Sequence, residues 1–195
     1  ISARSAGCSC DSFWIGKLLF RVDLRTQGSG NLGATNTFRV LGWKAALPVA
    51  AVDVLKGWLP VWLFPQLDRA LAWEWTLAYA GAAVFGHVFS FWVGFRGGKG
   101  IATSGGAYLG LAPWGVLLAL VAWVGVVLTT RIVSLGSLAA AVVLPLSLFF
   151  LPHQGGNALL AFTLGLAVFA FWSHRSNIQR LLRGEENRFG TAGKK

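Results

Sequence analysis

Polar and apolar positions along this chain fall into long blocks rather than a short helical or strand period. Residues 45–64, 71–93, 114–130, 135–151 and 157–173 are runs of mostly aliphatic and aromatic side chains, separated by short polar stretches. A helix of about 20 such residues crosses the roughly 30 Å hydrocarbon core of a bilayer, so each run predicts a membrane-spanning segment. Residues 65–69 predict a short turn after the first run. Residues 13–20 (FWIGKLLF) are apolar apart from Lys17 but too short to span, and read as the inner end of a spanning helix. Between Gly94 and Pro113 the topology depends on one choice. If residues 107–130 were a single crossing, the basic C-terminal block would end opposite the glycine-rich stretch at 94–106. If residues 101–112 form a short leg broken around Pro113, and 114–130 return, both blocks and Arg131 share one side. The second reading satisfies the positive-inside rule throughout, with the short leg sheltered by protein. The expected fold is therefore an all-α integral membrane protein with about seven transmembrane segments, some short. Its polar loops, and any active site, would lie at the cytoplasmic face. One domain is expected across 1–195, with an atypical N-terminus at 1–12 and a disordered tail at 189–195.

Composition agrees with a bilayer setting. The chain of 195 residues is 55% hydrophobic and only 12% charged, with mean hydropathy +0.60. The net charge of +10 is gathered between the apolar runs, as expected of loops facing anionic headgroups or anionic substrates. Nucleic acid is a poor partner for a chain whose surface must mostly face lipid. The ten tryptophans suit interfacial anchoring, many of them lying near segment ends. Cys8 and Cys10, one residue apart with no nearby histidine, suit neither a metal site nor a disulfide. No cleavable signal peptide is evident.

The candidate chemistry sits in three polar blocks. The stretch from Gly94 to Gly106, GFRGGKGIATSGG, carries Arg96 and Lys99 among glycines. Gly97, Gly98 and Gly100 let the backbone take positive φ and bring several N–H groups close to one anion. Thr103 and Ser104 add hydroxyls, and a helix beginning there would add its positive end. A phosphate cradle and a plain basic loop both fit. The Lys-Ser/Thr ending of a nucleotide-hydrolysing P-loop is absent. The first block centres on Gly28-Ser29-Gly30-Asn31-Leu32-Gly33-Ala34-Thr35-Asn36, with Arg39 three residues on. Small donors and a guanidinium fork suit a phosphate or polyol, though the same residues make ordinary turns. The third block runs from His174 through Asn177 to Arg180, spaced to share one stripe of a helix. Within the span 45–64, Asp53 and Lys56 lie on one helical face, either as a wall of a polar site or as a structural ion pair. His87, near the end of its span, is as consistent with an interfacial residue as with a catalytic one.

The three blocks, in this order and spacing, resemble the PlsY family of bacterial membrane glycerol-3-phosphate acyltransferases. The likeness covers roughly residues 13–189. Asp53-Val54-Leu55-Lys56-Gly57 and the stretch from Arg131 to Ser134 resemble the family too, as does Gly184-Glu185. The resemblance implies transfer of a fatty acyl group from acyl-phosphate to the 1-hydroxyl of glycerol 3-phosphate. The products would be lysophosphatidic acid and inorganic phosphate, the first step of phospholipid synthesis, at a bacterial inner membrane. It also implies no cofactor and no metal. Independently of it, the His-x4-Asp signature of acyl-CoA-dependent acyltransferases is missing: five residues after His87, His153 and His174 stand Trp92, Ala158 and Gln179. The chain departs from the family where ISARSAGCSCDS replaces an apolar first helix, and where Ser90 stands in place of a proline. Arg96 replaces a lysine with charge retained.

An acyl-phosphate is a mixed anhydride with a good leaving group, so positioning and charge stabilisation matter more than a strong nucleophile. The expected catalytic set is Ser29, Asn31, Arg39, Lys99, His174 and Asn177. The expected substrate-binding set is Gly28, Gly30, Thr35, Asn36, Gly97, Gly98, Gly100, Thr103 and Arg180. The proton would pass to His174 or to the donor's own phosphate, with the second preferred. The competing class is a small membrane anion transporter or scaffold, which Asp53 and Lys56 inside a span would suit. Polar groups gathered in loops on one face argue for interfacial chemistry instead of a pore.

Overall fold

The computed structural model describes residues 11–67 and 73–189, whose regular structure is entirely helical. The expectations for residues 1–10 (with Cys8 and Cys10), for the turn beyond Leu67 and for the tail from residue 190 lie outside the described residues. Among the described residues, four helical segments are long and apolar enough to cross a membrane: Trp43–Leu67, Glu74–Val93 (an α-helix followed by a 3-10 turn), Pro113–Thr130 and Gly156–Ser173. Val133–Ser147 is apolar but shorter. The chain forms two compact units, one ending at Leu111 and the other beginning at Ala112.

In the first unit, helix α1 (Asp11–Trp14) passes into a π-helical turn at Ile15–Leu19. Chain reversal follows at once, with the Phe20 and Val22 N–H groups both donating to the Gly16 carbonyl. The short apolar run at 13–20 is thus helical as far as Leu19 and ends at Phe20, and Phe13 buries itself against Leu24, Leu32 and Val93. Helix α2 (Ala34–Leu41) ends at Gly42, whose φ of 82° permits the sharp entry into α3 (Trp43–Leu67). Helix α4 spans Glu74–Val88, and a single 3-10 turn at Phe91–Val93 leads to the glycine-rich loop and α5 (Ile101–Leu111).

Helix α3 does not stop before Pro65, where the sequence suggests a turn; it continues to Leu67 with Pro65 in its last turn. A proline near the C-terminal end forfeits one hydrogen bond without blocking the two residues that follow. Gln66 Nε2 donates to the Trp62 carbonyl at 2.6 Å. Helices α3 and α5 meet backbone to backbone: a Cβ at Gly57 would collide with the Thr103 carbonyl, and one at Gly106 with the Val54 carbonyl. Small residues are what membrane helices use for such close approach.

The second unit contains α6 (Pro113–Thr130), α7 (Val133–Ser147), α8 (Gly156–Ser173) and α9 (Arg175–Leu182). Helix α6 starts on Pro113, whose preset φ and missing N–H cost nothing at a first helical position. The break between residues 101–112 and 114–130 expected from the sequence is thus present, centred on Ala112. Arg131 ends α6 at φ 60°, with its N–H bonded to the Val127 carbonyl. Gly136 lets α7 pack against α6, since a Cβ there would lie 3.0 Å from the Trp123 carbonyl. The outward face of α6 keeps Leu117, Leu120, Val121 and Leu128 at least half exposed, as a lipid-facing helix does.

Candidate active site

The first polar block is a loop wound around one side chain. Asn36, in the first turn of α2, is almost fully buried. Its Oδ1 accepts from the Ser29 N–H at 2.8 Å, and its Nδ2 donates to the carbonyls of Leu24 and Gln27 at 3.2 and 3.1 Å. Gly28 and Gly30 sit at φ 62° and 70°, and a Cβ on Gly28 would collide with Asn36 Oδ1. Asn36 therefore shapes the loop, and the loop in turn presents Ser29 and Gly30 to solvent, with Asn31 partly covered. Thr35 and Arg39 lie on α2, Thr35 half-buried and Arg39 exposed in the last turn. Upstream, Asp23 accepts from three N–H groups of Arg25, one of them its backbone N–H. Those bonds hold the Asp23 carboxyl down at about 2, so it stays ionised at any physiological pH.

The glycine loop is built differently from the sequence expectation at two positions. Gly100 has φ 82°, and Gly94 and Phe95 are also left-handed, at 65° and 62°. Gly97 and Gly98 are not in the positive-φ region; glycine is required there because other groups press on the backbone. A Cβ at Gly97 would overlap the His87 carbonyl, and one at Gly98 would overlap His87 Nε2 and lie 2.7 Å from the Leu32 carbonyl. The Gly97 N–H is tied to the Val88 carbonyl at 2.9 Å and is engaged in holding the loop to the end of α4. Gly98 and Gly100 are buried, Lys99 is half-buried and Arg96 exposed. Helix α5 begins at the next residue, so its positive end adjoins Lys99. Thr103 is fully buried one turn inside α5, and its Oγ1 has no hydrogen-bond partner.

Beneath the loop lies a buried ionic cluster. Asp53 and Lys56 on α3 form an ion pair, and Lys56 Nζ also reaches Asp11 Oδ2 at 3.1 Å. His87 Nδ1 stands 3.4 Å from Asp53 Oδ1, near enough for attraction but without a formed hydrogen bond. Of the two readings of Asp53 and Lys56, the geometry matches the structural pair. The sequence showed no signal that Asp11 would join it.

In the second unit, His174 caps the end of α8 and is buried. Its Nδ1 lies 2.8 Å from the Ala170 carbonyl. A carbonyl can only accept, so Nδ1 carries a proton. Asn177 and Arg180, one turn apart on α9, share an acceptor that sequence reasoning missed. Asn177 Nδ2 donates to Glu186 Oε1 at 2.7 Å, Arg180 Nε to Oε2 at 2.8 Å, and Ser134 Oγ to Oε1 at 3.1 Å. Gly184 turns the chain at φ 70°, and the Phe189 N–H ends against the Arg131 carbonyl. The third block is thus folded back onto the α6–α7 corner around one carboxylate. The available clue was an acidic pair, Glu185-Glu186, in an otherwise basic segment.

Comparison with known proteins places these motifs in context. Residues 5–184 match the family model described as glycerol-3-phosphate acyltransferase. Proteins named glycerol-3-phosphate acyltransferase from Geobacter sulfurreducens and Trichlorobacter lovleyi are 45% and 46% identical. The first alignment covers 86% of this chain and 84% of the relative, the second 90% and 88%. Among solved structures, PlsY (YgiH), an integral membrane glycerol 3-phosphate acyltransferase, superposes in its glycerol 3-phosphate form with TM-score 0.83. It is 36% identical, over 97% of this chain and 94% of that one. Its lysophosphatidic acid form superposes equally well, with TM-score 0.83.

Proposed function

The chain belongs to the glycerol-3-phosphate acyltransferase family, and from that premise we propose how its residues carry out the reaction. It is a multi-pass integral membrane enzyme that acylates glycerol 3-phosphate to lysophosphatidic acid. The donor in this reading is an acyl-phosphate, and the site faces the cytoplasm from a bacterial inner membrane. About seven membrane segments are proposed, counting α5 as a partial leg, α7 as a short span and the N-terminal region as the first.

The observation that carries the reading is the glycine loop with Lys99 at the start of α5. Backbone N–H groups, a half-buried ammonium and a helix N-terminus gathered at one place are complementary to phosphate. Lys99 and the loop amides beyond Gly97, whose own N–H is held by Val88, bind a substrate phosphate and stabilise the charge that grows on it as the acyl bond breaks. Ser29, Asn31, Thr35 and Arg39 supply further donors at the first loop, which Asn36, Gly28 and Gly30 hold in shape. Thr103 supplies a hydroxyl behind the glycine loop. His174 orients glycerol 3-phosphate, while Asn177 and Arg180 act through Glu186 to fix the helix that carries them.

The chemistry balances without a protein nucleophile. The 1-hydroxyl oxygen of glycerol 3-phosphate bonds to the acyl carbonyl carbon, the carbon–oxygen bond to phosphate breaks, and inorganic phosphate leaves. The hydroxyl proton passes to an oxygen of that departing phosphate, which is basic enough to take it. His174 is the second candidate acceptor. The test is phosphate release by the detergent-solubilised protein given palmitoyl-phosphate with and without glycerol 3-phosphate. Release that needs both substrates is expected. Activity with acyl-CoA and none with acyl-phosphate would overturn the donor assignment.

A further inference from the structure

We propose that His87 is a positioning residue for this reaction, the floor on which the glycine loop rests in its phosphate-accepting conformation. Its ring is 3% exposed in the last turn of α4, a place that an apolar side chain of the same volume would fill more cheaply. Burying a polar ring beside three further ionisable groups is unfavourable unless their mutual arrangement does something. The groups here form a chain of successive contacts. Asp11 and Asp53 flank Lys56, and Asp53 faces His87 Nδ1 at 3.4 Å. The opposite edge of the ring carries Nε2, which lies directly against the backbone of Gly98. The Leu32 carbonyl crowds the same spot, 2.7 Å from where a Gly98 Cβ would sit. Gly98 therefore packs closely against both the His87 ring and the first polar loop. The preceding residue, Gly97, is bonded to the neighbouring Val88 carbonyl and leaves no room for a side chain above the His87 carbonyl.

The consequence is a register between two loops. The Asp53–Lys56 pair sets the height of the imidazole, the imidazole sets the height of Gly98, and Gly98 sets the distance between Lys99 and the loop carrying Ser29 and Asn31. A shift of even 1 Å in a group that positions substrate can slow a reaction severely. This inference rests on the reading of the loop as a phosphate holder, but not on which donor the enzyme uses.

The experiment compares the full-length protein with His87→Ala, His87→Gln, Gly98→Ala and the Gly98→Ala variants of both His87 substitutions. KM and kcat are measured for each phosphate substrate, together with thermal midpoint and amide hydrogen exchange across residues 94–100. His87→Ala is expected to raise KM for a phosphate substrate by about tenfold with kcat changed less than about threefold. The substrate whose KM rises is the one whose phosphate the loop holds. His87→Gln, with an amide nitrogen about where Nε2 lies, restores most of the affinity. Gly98→Ala is less damaging when the ring has been removed than when it is present, the coupling expected of two groups in contact. Unchanged KM in His87→Ala overturns the proposal, as do additive penalties or parallel losses of KM, kcat and thermal midpoint. If His87→Ala does not accumulate, the Gly98→Ala and His87→Gln pair is read by the same criterion. Loop exchange that speeds up in the His87 variants supports the floor even if acyl-phosphate proves to be the wrong donor, and unaltered exchange overturns it.

Discussion

Removing the Glu186 carboxylate tests the architecture of the C-terminal block most directly, because two substitutions there should differ in a calculable way. Glu186 accepts from Ser134, Asn177 and Arg180. Glu186→Gln keeps a carbonyl oxygen that can serve Ser134 and Asn177, but turns an amide NH2 toward the Arg180 guanidinium, replacing an acceptor with a donor. The lost charge-assisted bond would be worth about 1.5–3 kcal/mol if buried. The Arg180 side chain is 33% exposed, so solvent screening brings the expected loss to about 1 kcal/mol. Glu186→Ala removes both acceptor oxygens and strands all three donors. Ser134 and Asn177 are 7% and 5% exposed, and a buried donor left unsatisfied costs about 1–3 kcal/mol. Ser134 can rotate its hydroxyl onto a helix carbonyl, so its share is at the low end; the expected total is about 3–4 kcal/mol. For a chain of this size each kcal/mol moves the melting point by about 2–4 °C. The assay is thermal unfolding in detergent micelles, read by tryptophan fluorescence and by residual activity after heating. A small drop for Glu186→Gln and one about threefold larger for Glu186→Ala are expected. Equal effects, or a wild-type midpoint for Glu186→Ala, would refute the assignment of Glu186 as the shared acceptor.

Three further outcomes follow from the same geometry. Gly57→Ala drives a methyl group into the Thr103 carbonyl, so α3 and α5 must separate at a cost of about 1–3 kcal/mol; an unchanged thermal midpoint would contradict the backbone contact. Lys99→Ala removes the half-buried ammonium of the glycine loop and should lower phosphate release by about 100-fold or more while leaving the thermal midpoint near wild type, which the same two assays resolve. Asn36→Ala deletes three hydrogen bonds that shape the first loop and should raise KM more than it lowers kcat; Asn36→Asp, which keeps the acceptor for the Ser29 N–H but loses both donors, should fall between it and wild type in steady-state kinetics.

The sequence by itself determined the class of molecule and the location of its chemistry. Runs of about 20 apolar residues have few alternatives to spanning helices, because unpaired backbone groups are so costly in hydrocarbon. The break at Pro113 was legible for the same local reason, a proline that starts a helix more readily than it continues one. The three polar blocks stood out because glycines, amides and cations are conspicuous against a lipid-facing background. Local signals reached their limit at Pro65, where a breaker in the last turn did not end the helix.

Tertiary structure decided what each polar residue does. Nothing in the spacing of Gly97 and Gly98 distinguishes a glycine needed for its φ from one needed because a histidine ring lies against it. Nor does it reveal that Asn36 faces inward to the loop it shapes, or that Asn177 and Arg180 share Glu186 with Ser134, 52 residues away from it in sequence. A hydrogen bond or a steric contact depends on distances of a few tenths of an ångström between elements remote along the chain. Residue type and periodicity say which groups can make such contacts; packing of the helices settles which of them do.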